Sequence, residues 1–538
     1  MLNKFKIRLK NNITYYLTIG ISLLIFIWGI FFTDNFKNFF DSAYAFTTNN
    51  FSWYFMILMA FFFLFSIYLL FSKYKNVKLG DDDSKPEFSN ISWFAMLFSA
   101  GIGIGLVFWG LAEPLTHYLN PLGMEGGTKE AIGFAYRKSW LHWGVSAWAC
   151  YALLALVIGY MHFRKKKPIL LSSVLIPIIG EKNAKGLIGK IIDILTIFVT
   201  IAGILTSLGM GTLQINSGLN YLFNVPETKF IQVIIITLIT ILFLISATTG
   251  VKKGIKILSN LNLGVAVIFF LGAFVIVPKI DLLNNTIMGL GQYAQALVID
   301  KFSIFAKGDW YSKWTIFYWA WWIAWAPFVS IFIARVSKGR TIGEFIKGVL
   351  LVPVGFCMMW FSVFGTLGMT VPIDVAKEAV LKVETALFVV LNEYSTIGLV
   401  LSIIAVVLLF TFFVTSADSA TYVLSVIASD GKLNPKNSRK IIIGVIQSLL
   451  TIAFLFAGGF EMIQTATIVM ALPFGIIIFL SVMAFIKEIR TENIEEVNRV
   501  ANKENINKNK GHEKGINLKS PKEIGEGVMS KRAIRHKN

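Results

Sequence analysis

Cysteine is nearly absent from this chain, with two residues in 538, Cys150 and Cys357. Both fall inside apolar runs, so there is no disulfide framework and no cysteine-based metal cluster, and the thiols read as packing residues. Charge is scarce as well, at 15% Asp, Glu, Lys and Arg against 55% hydrophobic residues and a mean hydropathy of +0.67. That balance excludes an ordinary soluble enzyme and makes the bilayer the solvent. Enzyme signatures are missing too. No strand precedes the glycines around Gly101 and no Lys-Ser/Thr follows them, as a nucleotide loop requires. His142 and His162 are too far apart for a recognised zinc motif, and there is no nucleophile elbow.

What the chain has is apolar length. Runs of roughly 20 residues, enough to cross about 30 Å of hydrocarbon as a helix, recur from Ile13 to Ile486, and about twelve are countable on that criterion. The first, Ile13 to Phe32, has no small-residue cleavage site behind it and is expected to be a retained helix. Basic residues cluster before the first run (Lys4, Lys6, Arg8, Lys10) and after the second, fourth, sixth, eighth and tenth. Lys and Arg in short loops favour the cytoplasm, so both termini are expected there, with the chain in a cell membrane, plausibly a bacterial inner membrane. The net charge of +19 is then topological bias plus attraction to anionic lipid, with no nucleic-acid-binding module beside it.

The expected organisation is a cytoplasmic N-terminus (1–11), a transmembrane domain (12–489) and a cytoplasmic tail (490–538). The tail opens with a short helix near Glu492, Glu495 and Glu496 and is polar beyond it. Two runs carry helix-breaking residues. Gly101, Gly103 and Gly105 alternate through the third, where glycine weakens helix and lets backbone approach a ligand. Pro327 sits in the eighth and removes a backbone donor. Breaks in a membrane survive where they line a cavity. Their placement five runs apart suggests two inverted five-helix repeats, 90–280 and 309–486, with two helices in 12–72 outside them and a site between the repeats.

The eighth run, Lys313 to Phe328, crowds Trp314, Tyr318, Trp319, Trp321, Trp322 and Trp325 onto one helix. Lipid-belt or packing rings are the plain alternative. The density fits better a box for a cation that donates no hydrogen bond, each desolvated ring contributing up to about 2 kcal/mol. Trp319, Trp322 and Trp325 stand three apart, as do Trp148 and Tyr151, so each set is expected to form a ridge, with Trp321 off it.

Several segments together resemble the betaine/carnitine/choline transporters of the glycine betaine carrier type. They are Met96 to Gly105 with Trp109-Gly110 and Glu113-Pro114-Leu115, His142-Trp143 to Tyr151, the tryptophan tract, Arg335 to Arg340, and Thr415-Ser416-Ala417-Asp418-Ser419. The resemblance implies an all-α polytopic protein of about twelve transmembrane helices with two inverted five-helix repeats (LeuT-like), often a homotrimer. Its function would be import of a quaternary ammonium osmolyte with Na⁺ and without another cofactor. By the same resemblance, Trp143, Trp148, Tyr151, Trp319, Trp321, Trp322 and Trp325 surround the trimethylammonium group beside Gly101, Gly103 and Gly105. Ser99, Ile102, Phe412, Thr415 and Ser416 would hold Na⁺, and a second sodium site would lie near Thr206 and Phe328. Ser146-Ala147 departs from the His-Pro of several members. Glu113 and Asp418 are rare intramembrane acids. The first is expected to cap or pair near an interface, the second to orient the ion-site helix or to make a structural hydrogen bond. Gly105, where choline carriers can have Asp, favours glycine betaine. Choline or carnitine, proton coupling or exchange, and a membrane osmolyte sensor remain the alternatives.

Overall fold

A computed structural model describes residues 12–101, 103–249, 252–303 and 308–500. Among them the only β-structure is an isolated antiparallel bridge between Lys78 and Thr341. The expectation for residues 1–11, and for the tail beyond 500, lies outside the described residues. The main helices are α1 (Ile13–Phe31), α2 (Thr33–Phe71), α3 (Asn90–Gly101), α4 (Ile104–Leu119), α5 (Lys129–Trp143), α6 (Val145–Gly159) and α7 (Leu187–Phe223). They continue as α8 (Lys229–Thr249), α9 (Lys252–Ile276), α10 (Lys279–Val298), α11 (Phe317–Val336), α12 (Ile342–Met369), α13 (Ser395–Ile427) and α14 (Asn437–Ile489).

Nine helical stretches among the described residues are long and apolar enough to cross a membrane, and the α9–α10 pair, bent by 109°, makes ten. A count of twelve needs two additions. One is the broken pair α3 and α4. The other is α14, whose 53 residues would reach about 80 Å if straight, more than twice a hydrocarbon core. It bends instead at Gly458 and Gly459, and Gly459 has φ 66°, a left-handed conformation that favours glycine.

Burial separates centre from periphery. In the stretch Lys129–Arg164, 94% of the most apolar window is buried, against 28% in α1 and in α8, which leave most of their apolar side chains on the outer surface. Helix α6 is the axis, packed by α11, α2 and α12. At one end the segment Arg335 to Arg340 ties loops together: the Leu79 amide donates to the Arg340 carbonyl (2.8 Å) and the Ile342 amide to that of Val77 (2.8 Å). The Arg340 guanidinium lies 4.4 Å from the Trp93 ring centre, and the Trp93 indole donates to Ser337 (2.9 Å). That clamp fixes the entry of α3 against the end of α11.

The two expected interruptions differ in kind. The third span is broken, with Gly103 extended at φ −164° between α3 and α4. Helix α11 instead runs unbroken through Pro327, correcting the expectation of a matched break. Its turn before the proline is braced by α7, where Gly203 has no side chain to hold the helices apart: a Cβ there would meet the Ala324 backbone at 3.0 Å. A break that the sequence pattern hid separates α5 from α6 at Gly144, between Trp143 and Trp148. The Tyr293 hydroxyl of α10 accepts from the Val145 amide freed there (2.9 Å).

Candidate functional site

The breaks at Gly103 and Gly144 face one cavity of about 910 Å³, lined by Gly103, Gly105, Trp143, Trp148, Tyr151, Trp321, Trp322 and Trp325 and, farther along, by Phe412, Thr415, Ser416 and Asp418. It continues to Arg335, Asn434 and Lys440, the helix ends that carry basic loops. Helices α4, α5, α6 and α11 supply the aromatic and glycine wall, and α13 supplies Phe412, Thr415, Ser416 and Asp418.

The rings hold one another by one stack and several edge-to-face contacts. Trp321 and Trp322 stack at 4.8 Å and 16°, while Trp143 stands against Trp322 at 4.9 Å and 75° and against Trp321 at 5.8 Å and 89°. Tyr151 meets Trp322 at 6.1 Å and Trp148 at 5.6 Å. Such pairs contribute about 0.5–1.5 kcal/mol each beyond burial and fix ring orientation. The break at Gly144 also frees last-turn carbonyls of α5, and the Trp322 indole donates to one, that of His142 (2.8 Å). Ser330 of α11 donates to the Tyr151 carbonyl (3.1 Å), so α11 is keyed to both halves of the broken fourth span.

Gly105 is a close-approach glycine. A Cβ there would sit 2.7 Å from Trp321 and 2.9 Å from Trp143, whereas one at Gly103 would meet nothing within 4 Å. Any side chain at 105 therefore moves the cage. The turn that follows is held from α12, where the Trp360 indole donates to the Leu106 carbonyl (2.9 Å).

The ridge through Trp319 and Trp322 is placed differently from expectation. At about 100° per residue, Tyr318, Trp321, Trp322 and Trp325 occupy one sector and Trp319 lies roughly 110° from its centre. Trp321 accordingly lines the cavity and Trp319 does not. The Trp319 indole is buried against α2 and donates to the Met56 sulfur (3.1 Å). Spacing of three suggested the wrong member because four neighbouring tryptophans allow two ridges.

Among the residues expected to hold Na⁺, Thr415 donates to the carbonyls of Thr411 (3.0 Å) and Phe412 (3.2 Å) and accepts from Asn262 (3.1 Å). Phe412 and Ser416 line the cavity with it. Ser99 and Gly101 belong to α3, but the Ser99 side chain and the whole of Ile102 lie outside the described residues. Thr206 is engaged elsewhere, 2.7 Å from the Thr467 hydroxyl, and is not on the cavity wall, although Phe328 is. Asp418 accepts from Ser246 (2.7 Å) and lines the cavity beyond Thr415.

Glu113 overturns its expected place near an interface. It is fully buried and meets partners from two other helices, α5 and α11, besides His117 of its own helix. One carboxylate oxygen accepts from the Trp143 indole (2.8 Å) and the Tyr318 hydroxyl (2.5 Å). The other faces His142 Nδ1 (2.7 Å) and His117 Nε2 (3.4 Å), and His142 Nε2 meets the Thr315 hydroxyl (3.0 Å). The Glu113–His117 spacing of four was legible as one helical face, but nothing in the sequence joined it to His142.

The chain is similar in sequence to known membrane transporters. The profile described as BCCT, betaine/carnitine/choline family transporter, matches residues 13–494. The chain is 45% identical over 491 residues to the glycine betaine transporter OpuD of Bacillus subtilis (strain 168), covering 89% of this chain and 95% of that protein. It is 39% identical over 493 residues to a "Probable glycine betaine transporter" of Desulfitobacterium hafniense (strain Y51), covering 90% and 98%. The ectoine/hydroxyectoine transporter of Virgibacillus pantothenticus is also 39% identical, over 485 residues, covering 88% and 96%.

Proposed function

We propose, since this chain belongs to the betaine/carnitine/choline family of membrane transporters, that it imports glycine betaine together with Na⁺. The observation that carries the reading is the cavity in which a box of three helices' aromatic rings meets the Thr415–Ser416 turn. A trimethylammonium group cannot donate a hydrogen bond, so leaving water requires ring faces in its place. Na⁺ is a hard cation that takes backbone carbonyl, hydroxyl and carboxylate oxygens, and the break at Gly103 lines the same cavity as Thr415 and Ser416, which supports a site between them.

The cavity runs from the cage to helix ends bearing Arg335 and Lys440. With basic loops inside, that is a cytoplasm-facing state of an alternating-access cycle. The two repeats, 90–280 and 309–486, would rock about the cage, both termini staying cytoplasmic. A homotrimer in the lipid membrane is part of the same proposal.

Choline is the second reading, favoured by the absence of a basic side chain among the cage rings, since a choline carrier needs no carboxylate contact. Gly105 weighs towards betaine. Uptake of labelled betaine, choline and carnitine into proteoliposomes, with and without an inward Na⁺ gradient, separates these. Betaine uptake that is strongly accelerated by the gradient is expected, while uptake indifferent to Na⁺ would remove the coupling ion, and accumulation of choline alone would reverse the substrate.

A further inference from the structure

The acid at Glu113 is not on the cavity wall, and neither are His117, His142 or Tyr318; of the groups around its carboxylate, only Trp143 reaches the cavity. We propose that Glu113 is a positioning residue that polarises the cage, a buried anion set behind the Trp143 indole that strengthens this ring's hold on a cation. The inference rests on the reading that the cage takes a trimethylammonium group.

Three observations carry it. The carboxylate oxygen nearest the cage accepts from two ring donors at once, Trp143 Nε1 at 2.8 Å and Tyr318 Oη at 2.5 Å. Hydrogen bonds to an ionised acceptor are stronger than neutral ones and, in a water-free interior, polarise the donor. An indole whose N–H points at a carboxylate carries more negative charge on its π-face, the face a cation meets. Second, the histidines lie on the opposite oxygen, His142 at 2.7 Å and His117 at 3.4 Å. The oxygen that the histidines leave free is the one directed at Trp143. Third, the placement resolves a conflict of charges: a carboxylate inside the cage would repel the carboxylate of a zwitterionic substrate and would be costly whenever the site is empty. Behind a ring it acts on the cation without touching either end of the substrate.

Holding Trp143 in place requires only an acceptor, which a neutral amide supplies. The charge is what the proposal adds, so the test separates the two. Glu113→Gln keeps an oxygen for Trp143 and Tyr318 and removes the charge. Wild type and variant, full-length in proteoliposomes, are assayed for the KM of labelled glycine betaine and for inhibition by 3,3-dimethylbutanoate, its carbon isostere with no positive charge. The variant should raise the betaine KM by about tenfold or more and leave the inhibition constant of the isostere within about twofold. Equal changes for both ligands, or none for either, would reduce Glu113 to packing and overturn the proposal.

Tyr318→Phe is the companion variant should Glu113→Gln not reach the membrane. It leaves the bond between Trp143 and Glu113 and gives the carboxylate one donor fewer, so the preference for betaine over its isostere should hold or rise; a fall overturns the idea. If wild type takes choline and not betaine, the proposed substrate fails separately, and the same comparison runs with choline and 3,3-dimethylbutan-1-ol. The Glu113, His117 and His142 ligand atoms also lie within 4.8 Å of one another. A metal co-purifying at one per chain and lost in His117→Ala would mean the carboxylate serves an ion and not the ring.

Discussion

Exchanging Trp322 for Leu, beside a control exchange at Trp319, asks whether the tryptophan tract is a cage or merely bulk. Trp322 stacks on Trp321 at 4.8 Å, meets Trp143 at 4.9 Å, and is keyed to the His142 carbonyl at 2.8 Å. Leu fills part of its volume but has no π-face. A desolvated cation–π contact is worth up to about 2 kcal/mol, equivalent to roughly 30-fold in affinity. Loss of ring order around it is harder to value, so the expected rise in betaine KM is at least about tenfold, with Phe milder because it keeps a face. Trp319→Phe is the control. That indole is buried against α2 with its N–H on Met56, outside the cavity, so the variant loses about 1 kcal/mol of hydrogen bonding from stability and nothing from recognition. The assay is initial uptake of labelled betaine at matched surface expression, with thermal unfolding of the solubilised protein in parallel. Equal KM values for wild type and Trp322→Leu, or a KM effect at Trp319 as large as at Trp322, would refute the assignment of rings to the cage.

Ser416→Ala with Thr415→Ala should raise the Na⁺ concentration for half-maximal uptake several-fold. Ser416 should contribute the larger part, because the Thr415 hydroxyl is already shared with its own backbone and Asn262; unchanged Na⁺ dependence moves the ion elsewhere. Gly105→Asp should shift competitive uptake towards choline, and Gly105→Ala, which brings the same Cβ within 3 Å of Trp321 and Trp143 without the charge, should lower total uptake without that shift. A ratio unchanged by Asp, or moved equally by Ala, would remove Gly105 as a reader of substrate charge. At the end of α14, burial alone would raise the Glu492 carboxyl, but hydrogen bonds from Arg164 (2.5 Å), Tyr160 (2.5 Å) and Lys165 hold it down at about 2. Its folded pKa lies below the unfolded value, so its stabilising share is complete above about pH 5 and is lost as pH falls through about 2. Thermal unfolding against pH should show wild type more stable than Glu492→Gln at pH 7 and the gap closing below about pH 4; a constant gap would refute the linkage.

What the sequence made legible was whatever one helix decides by itself. Apolar length gave the spans, the glycines of the third span gave its break, and the tryptophan density marked the segment that lines the cavity. What it hid depends on two helices meeting. Pro327 looked like a break, but α11 continues through it while Gly203 of α7 packs against the preceding turn. Gly144 carried no signal in the sequence, and the structure makes it the bend that turns Trp143 and Trp148 towards a common space and frees the carbonyl that Trp322 uses. The choice between Trp319 and Trp321 turned on which face of α11 meets α6, a rotation that spacing alone leaves free. Glu113 was found as a rare buried acid but could not be given its partners, because Trp143, His142 and Tyr318 come to it from α5 and α11. Pattern reading therefore located the walls of the site, and only packing could decide which rings face inward and which charge stands behind them.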